Sequence, residues 1–178
     1  MRVRGGRAVI VRDEGGGRSA RSVVVLMRHR LFYHAVWTTR ERKPLIDRAA
    51  ALFLSHFIPA ITRAERGDMI ELGIVRTHVH VLLELHPCAV IPRLMQKLKG
   101  GSAVIINREY GNAAERFGWA AGYNLETVSP RSLTAARDYI RHQPEHHRSE
   151  AIPGWDLRSH LHADGPSGPP AERRLQPS

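Results

Sequence analysis

Between Leu31 and Gln143 the hydrophobic period of this chain switches repeatedly between two residues and about 3.6, and that switching restricts the fold more than any other feature. Leu31–Thr38 (LFYHAVWT) is rich in aromatic and β-branched residues and reads as a strand. Asp47 is placed to cap a helix whose residues Leu54, Phe57, Ile58 and Ile61 share one face, with Pro59 expected to kink it or end its first half. Met69–Arg76 and His78–Leu85 read as antiparallel neighbours. Val90, Leu94 and Leu98 mark a second amphipathic helix, punctuated by Gly100 and Gly101 and carried on toward Asn107. Gly122–Val128 is a fourth strand. Ser129 followed by Pro130 opens a last helix that includes Leu133–Gln143, where Pro144 stops it. The order β-α-β-β-α-β with one more helix is α+β and ferredoxin-like: a split βαβ antiparallel sheet with helices on one face, plus a C-terminal helix. The third strand is then central, and its residues on the uncovered face sit mid-sheet.

Composition narrows the partners. The 178 residues carry a formal charge of +10, which favours a polyanion, nucleic acid before an anionic membrane. Half of that excess lies in residues 1–28, where seven Arg face only Asp13 and Glu14 among glycines. This stretch reads as a flexible Arg/Gly-rich leader, 29–157 as the folded domain, and 158–178 as a Pro/Gly-rich tail without order. The single Cys88 excludes a disulfide framework and a Cys-based zinc site. The longest apolar runs, Val23–Met27 and Ala103–Ile106, fall far short of the roughly 20 residues that span a bilayer, so the expectation is a cytoplasmic protein without membrane contact.

The run His78-Val79-His80-Val81-Leu82-Leu83-Glu84-Leu85 carries the first chemical signal. Alternation sends Val79, Val81, Leu83 and Leu85 to the core and leaves His78, His80 and Leu82 on the other face. Two imidazoles about 7 Å apart by rise can converge on one metal ion. A lone His-x-His is more often a pair of polar residues on a solvated face, so the motif needs a partner. On the last helix Tyr139 and Gln143 stand one turn apart. A carboxamide oxygen from Gln143 can add a hard third ligand to His78 and His80, with Tyr139 beside the ion. Two nitrogens and one oxygen leave positions open for a phosphate and suit divalent Mg or Mn. Taken alone, a packing tyrosine and a surface amide remain the commoner reading.

The runs YHAVWTTRERKPL, THVHVLLEL, LKGGSAVIINREYG and FGWAAGYNLETVSP…ARDYIRHQPEHH resemble, in that order, the single-tyrosine HUH transposases, IS200-like insertion-sequence enzymes that mobilise single-stranded DNA. The resemblance covers about residues 30–150. It implies that His78 and His80 bind the metal, that Gln143 is the third ligand and that Tyr139 is the nucleophile. It also implies a homodimer in which the tyrosine helix of one subunit can complete the site of the other, acting on hairpin ends of a mobile element. One departure is Thr77, which stands where relatives often carry an acidic residue.

The residue types suit strand transfer. A free phenol, with pKa about 10, is a weak nucleophile at neutral pH and benefits from a cation on the phosphate. Its attack on a phosphodiester gives a 5′-phosphotyrosine and a free 3′-OH, which a later 3′-OH can rejoin without ATP. Arg40, Arg42, Lys43, Lys97 and Lys99 are the candidate DNA phosphate contacts. Trp37 and Trp119 read as core residues before stacking platforms. His142, His146 and His147 read as a charged, solvated helix end, because no Cys or carboxylate set surrounds them in the sequence. The competing functions are a non-catalytic or domesticated nucleic-acid-binding protein of the same fold, and a metal-dependent nuclease that uses water.

Overall fold

The computed structural model describes residues 30–110 and 115–157, together with the backbone of 7–11 and 23–27. The stretches 158–178 and most of 1–28, read above as tail and leader, lie outside the described residues. Within the leader, β1 (Arg7–Val11) and β2 (Val23–Met27) pair antiparallel, Val9 opposite Val25. These β-branched runs favour an extended ladder.

The main sheet holds β3 (Leu31–Thr38), β4 (Gly67–Val75), β5 (His78–Leu85) and β6 (Asn124–Val128) in the order β4-β5-β3-β6, every pair antiparallel. This is the ferredoxin-like order expected from the element sequence, with β5 and β3 in the middle. Helix α1 (Arg48–Ala64) joins β3 to β4, its first turn capped by Asp47 Oδ1 accepting from the Ala50 amide at 2.8 Å. It runs through Pro59 rather than ending there. Pro59 removes one backbone hydrogen bond, but Leu54, Ser55, Ile58 and Thr62 are buried on both sides of it, and packing holds the helix together. A second helical stretch comprises α2 (Ile91–Gln96) and α3 (Ser102–Ile105), with wide π-type turns over Lys97–Gly101 and Ile106–Tyr110. Gly100 and Gly101 loosen this helix without breaking it, while Val90 caps it from an exposed position instead of joining its buried face.

One face of the sheet forms the core. Ala35, Trp37, Leu72, Ile74, Val79, Val81, Leu83 and Leu85 pack there against Leu54 and Ile58 of α1 and Leu94, Met95 and Leu98 of the second helical stretch. The opposite face, expected to be open, is closed by α4 (Leu133–Arg141) and α5 (Gln143–His146). Gly73, opposite His80 in the ladder, makes this closure possible: a Cβ there would stand 2.6 Å from the Ile140 carbonyl oxygen and 3.0 Å from Gln143 Cγ. Ile140 is buried in the contact, and Glu71 anchors the helix through Arg141 at 2.8 Å and Arg137 at 3.6 Å. A β-bulge between Met69 and Glu71 shifts the register of β4 beside this anchor.

Candidate active site

His78 and His80 share one face of β5, as alternation requires, but that face is covered, and they are only 3% and 7% exposed. Their rings lie 5.0 Å apart between centroids. His78 Nδ1 is 2.8 Å from Thr77 Oγ1 and 3.4 Å from Glu150 Oε2. His80 Nδ1 shares a hydrogen bond of 2.9 Å with His34 Nε2, and the two rings stack. Burial pushes the His80 pKa down to about 3, helped by His78, His34 and His147 nearby. Burial also lowers His78, with Glu150 and the Gln143 amide acting against it, and lowers His34, with Glu126 acting against it. At neutral pH His80 is therefore a neutral imidazole, and a neutral ring whose Nδ1 is engaged keeps its other nitrogen for a ligand.

The last helix differs from its expected form. α4 ends at Arg141, His142 leaves helical geometry at φ −96° and ψ 16°, and Gln143 begins the separate turn α5. Pro144 explains the break, since it has no N–H to offer the Ile140 carbonyl one turn earlier and its ring crowds that carbonyl. Tyr139 and Gln143 are thus not on one regular helix face. Tyr139 is 45% exposed, with its ring edge-on to His80 at 5.9 Å and to His34 at 6.4 Å, and stacked on His146 at 5.4 Å. Gln143 is 0% exposed; its amide lies against His78, but neither Oε1 nor Nε2 makes a well-formed hydrogen bond. A buried amide left in that state costs about 1–3 kcal/mol and is the sort of orphan a cation would satisfy. The residues present therefore fit a divalent metal: neutral imidazole at His80, a second imidazole at His78 and an unpaired carboxamide oxygen on one chain.

Three further residues join this centre, Glu150 and His34, which the sequence did not single out, and His147, which it placed elsewhere. The sequence places His147 on a solvated helix end; in the structure His78, His147 and Glu150 bring donor atoms within 4.8 Å of one another. The rings of His147 and His78 meet edge to face at 4.9 Å, and His147 Nδ1 lies 3.6 Å from Glu150 Oε2. The EHHRSE run held the necessary residue types, but only the turn after α5 turns them back to β5. His34 had no signal of its own, because its position beside His80 depends on how β3 registers against β5.

The five basic candidates divide by face. Arg40, Arg42 and Lys43 follow β3, whose Thr38 is opposite His78. Arg42 Nη2 reaches Glu150 at 3.8 Å, Arg40 donates to the Arg116 carbonyl at 3.0 Å, and Lys43 pairs with Glu115 at 3.3 Å and Glu41 at 3.4 Å. Lys97 and Lys99 come from the helical stretch on the other side of the sheet and are not brought to the histidines. Lys97 pairs with Glu65, while Lys99 donates to the carbonyls of Ala120, at 2.9 Å, and Gly122. Trp37 is a core residue, and Trp119 stacks edge-on against it while donating to Ser102 Oγ at 2.9 Å.

Comparison with known proteins addresses the family. The transposase of insertion sequence element IS200 from Salmonella typhimurium is 24% identical over 117 residues, covering 64% of this chain and 76% of that protein. The ISDra2 transposase TnpA of Deinococcus radiodurans is 27% identical over 119 residues, covering 65% and 85%. Among solved structures, a candidate transposase from Deinococcus radiodurans R1 superposes with a TM-score of 0.54 at 25% identity, over 72% of this chain and 97% of that one. A REP-associated tyrosine transposase bound to a REP hairpin superposes with a TM-score of 0.53 over 70% of this chain and 74% of that one; at 13% identity it speaks for the fold alone. Residues 27–143 match the family model described as IS200-like transposase. That match begins ahead of β3 and ends on Gln143, taking in the whole sheet, the two β5 imidazoles and Tyr139, and by it the chain belongs to the IS200-like transposase family.

Proposed function

We propose that this transposase cuts and rejoins single-stranded DNA through a covalent link to Tyr139. The observation that carries the reading is the meeting, within one chain, of the exposed Tyr139 ring with the buried His80 and His34 rings, beside an unpaired Gln143 amide. Tyr139 Oη attacks the phosphorus of a phosphodiester. The new P–O bond forms as the P–O3′ bond breaks; the phenol gives up its proton and the departing 3′ oxygen gains one. Reversal by another 3′-OH restores a phosphodiester and frees the tyrosine, so joining needs no outside energy.

His78, His80 and Gln143 would hold a divalent Mg or Mn ion. When bound, the ion supplies positive charge for the phosphate oxygens and the leaving oxygen. The protein's own part is to keep His80 unprotonated by burial, to hold His78 by Thr77, and to present Tyr139 at the solvent edge of the pair. Arg40, Arg42 and Lys43 lie nearest the histidines and are the proposed backbone contacts, by exchange of their present partners for phosphates. Hairpin ends, as in the REP-hairpin-bound neighbour, and a homodimer complete the reading. Among the described residues, no helix is long and apolar enough to cross a membrane.

Labelled single-stranded hairpin DNA incubated with the protein and Mg²⁺ or Mn²⁺, then run on a denaturing gel, tests the proposal. A slow-migrating protein–DNA adduct is expected, and Tyr139→Phe should reduce it at least a thousand-fold. An adduct that persists in the Phe variant removes Tyr139 from its role. Cleavage without an adduct identifies a water-using nuclease, and binding without cleavage a non-catalytic DNA-binding protein.

A further inference from the structure

We infer that His147 and Glu150 ligate the same divalent cation as His78, so that the turn following the tyrosine helix forms part of the metal centre. The inference deepens the proposed function and rests on its assignment of His78 as a metal ligand. The family match ends at Gln143, so both residues lie beyond it. Three observations support them independently of that match.

The first is convergence. The donor atoms of His78, His147 and Glu150 lie within 4.8 Å of one another, a spacing that a single central ion spans with modest side-chain adjustment. The second is an unsatisfied oxygen. Glu150 Oε2 is buried and accepts no hydrogen bond, although it stands between two imidazoles, 3.4 Å from His78 Nδ1 and 3.6 Å from His147 Nδ1. Arg42 approaches the other oxygen, Oε1, at 3.8 Å, which leaves Oε2 directed at the imidazoles. The third is the Gln143 amide, fully buried against His78 with neither polar atom in a well-formed hydrogen bond. Two orphaned oxygens beside two imidazoles describe a place for a cation that bonds nitrogen and oxygen alike. Mn²⁺ accepts that mixture more readily than Mg²⁺, which prefers oxygen alone.

The placement also links the cation to the nucleophile. His146 stacks on Tyr139 while its neighbour His147 meets His78, so one short turn touches both reacting partners. Ligation at 147 and 150 immobilises that turn and with it the ring against which Tyr139 rests.

The test titrates Mn²⁺ into the chelator-treated full chain and follows free Mn²⁺ by electron paramagnetic resonance. Wild type, Glu150→Gln, His147→Asn and His80→Ala are compared, each checked for native circular dichroism. Glu150→Gln keeps the shape and removes the charge; Glu150→Asp keeps the charge as a second variant at this position. Mn²⁺ affinity should fall at least ten-fold in Glu150→Gln and in His147→Asn, with Glu150→Asp intermediate. Unchanged affinity in the 147 and 150 variants alongside a loss in His80→Ala overturns this inference and leaves the proposed reaction standing. No Mn²⁺ binding by the wild type at millimolar concentration overturns both.

Discussion

His34 and His80 exchange a hydrogen bond between Nε2 and Nδ1 at 2.9 Å, and this contact decides which nitrogen of His80 faces a ligand. Metal-binding imidazoles are commonly oriented in this way by a partner on the far nitrogen, and loss of such a partner lowers metal affinity about 10- to 100-fold. His34→Ala should show a fall of that size in Mn²⁺ titration, and His34→Gln, whose amide can still bond Nδ1, should recover much of it. A purely structural role for His34 would show instead as lowered stability with unaltered Mn²⁺ affinity. The β5 imidazoles could be read from the sequence, because alternation in HVHVLLEL separates polar from apolar residues with no knowledge of neighbours. His34 could not be read in this way. It stands beside His80 only because Val36 is opposite His80 and His34 opposite Leu82, a register that tertiary packing sets.

The seating of α4 is decided by the element it lies on. Gly73 leaves room for the Ile140 carbonyl, and Glu71 holds Arg137 and Arg141. Gly73→Ala would put a methyl group 2.6 Å from that carbonyl oxygen, so backbone must move. A loss of about 1–3 kcal/mol in urea unfolding is expected, together with slower adduct formation as Tyr139 shifts from the histidines. Should the variant keep both stability and rate, Gly73 does not set the helix position. The sequence supplied the helix, its Ser129 cap and its end near Pro144; the side chain of Ser129 accepts from the Ser132 amide at 3.2 Å. What it withheld was the break at His142, which separates an exposed Tyr139 from a buried Gln143. Spacing of one turn implies a shared face only while the helix remains regular, and the proline acts back on the residues before it.

At the scale of the molecule, the order of elements was enough to anticipate the sheet order β4-β5-β3-β6, since split βαβ units close in few ways. Closure of the second face was not anticipated, and it converts a pair of surface imidazoles into buried ones. Acid sensitivity follows. Burial pushes His80 down to about 3 in the fold, from the ordinary imidazole value of about 6.5, and lowers His34 and His78 as well. Below about pH 6.5 the unfolded chain takes up protons that the fold refuses, so stability is full above that pH and declines as pH falls toward 3. Glu150, facing His78, opposes part of the loss. For the metal-free protein the urea midpoint should be lower at pH 5 than at pH 7, and His80→Asn should flatten the difference; equal midpoints in wild type would contradict the burial account. The notch at Gly73 has a last consequence. Because the Ile140 main chain and the Ile140 and Gln143 side chains meet the sheet there, with Arg137 and Arg141 on Glu71, the height of the tyrosine above the imidazoles is set by those residues and not by the rest of its helix. Positions of the helix outside that set are free to diverge without retuning the chemistry beneath it.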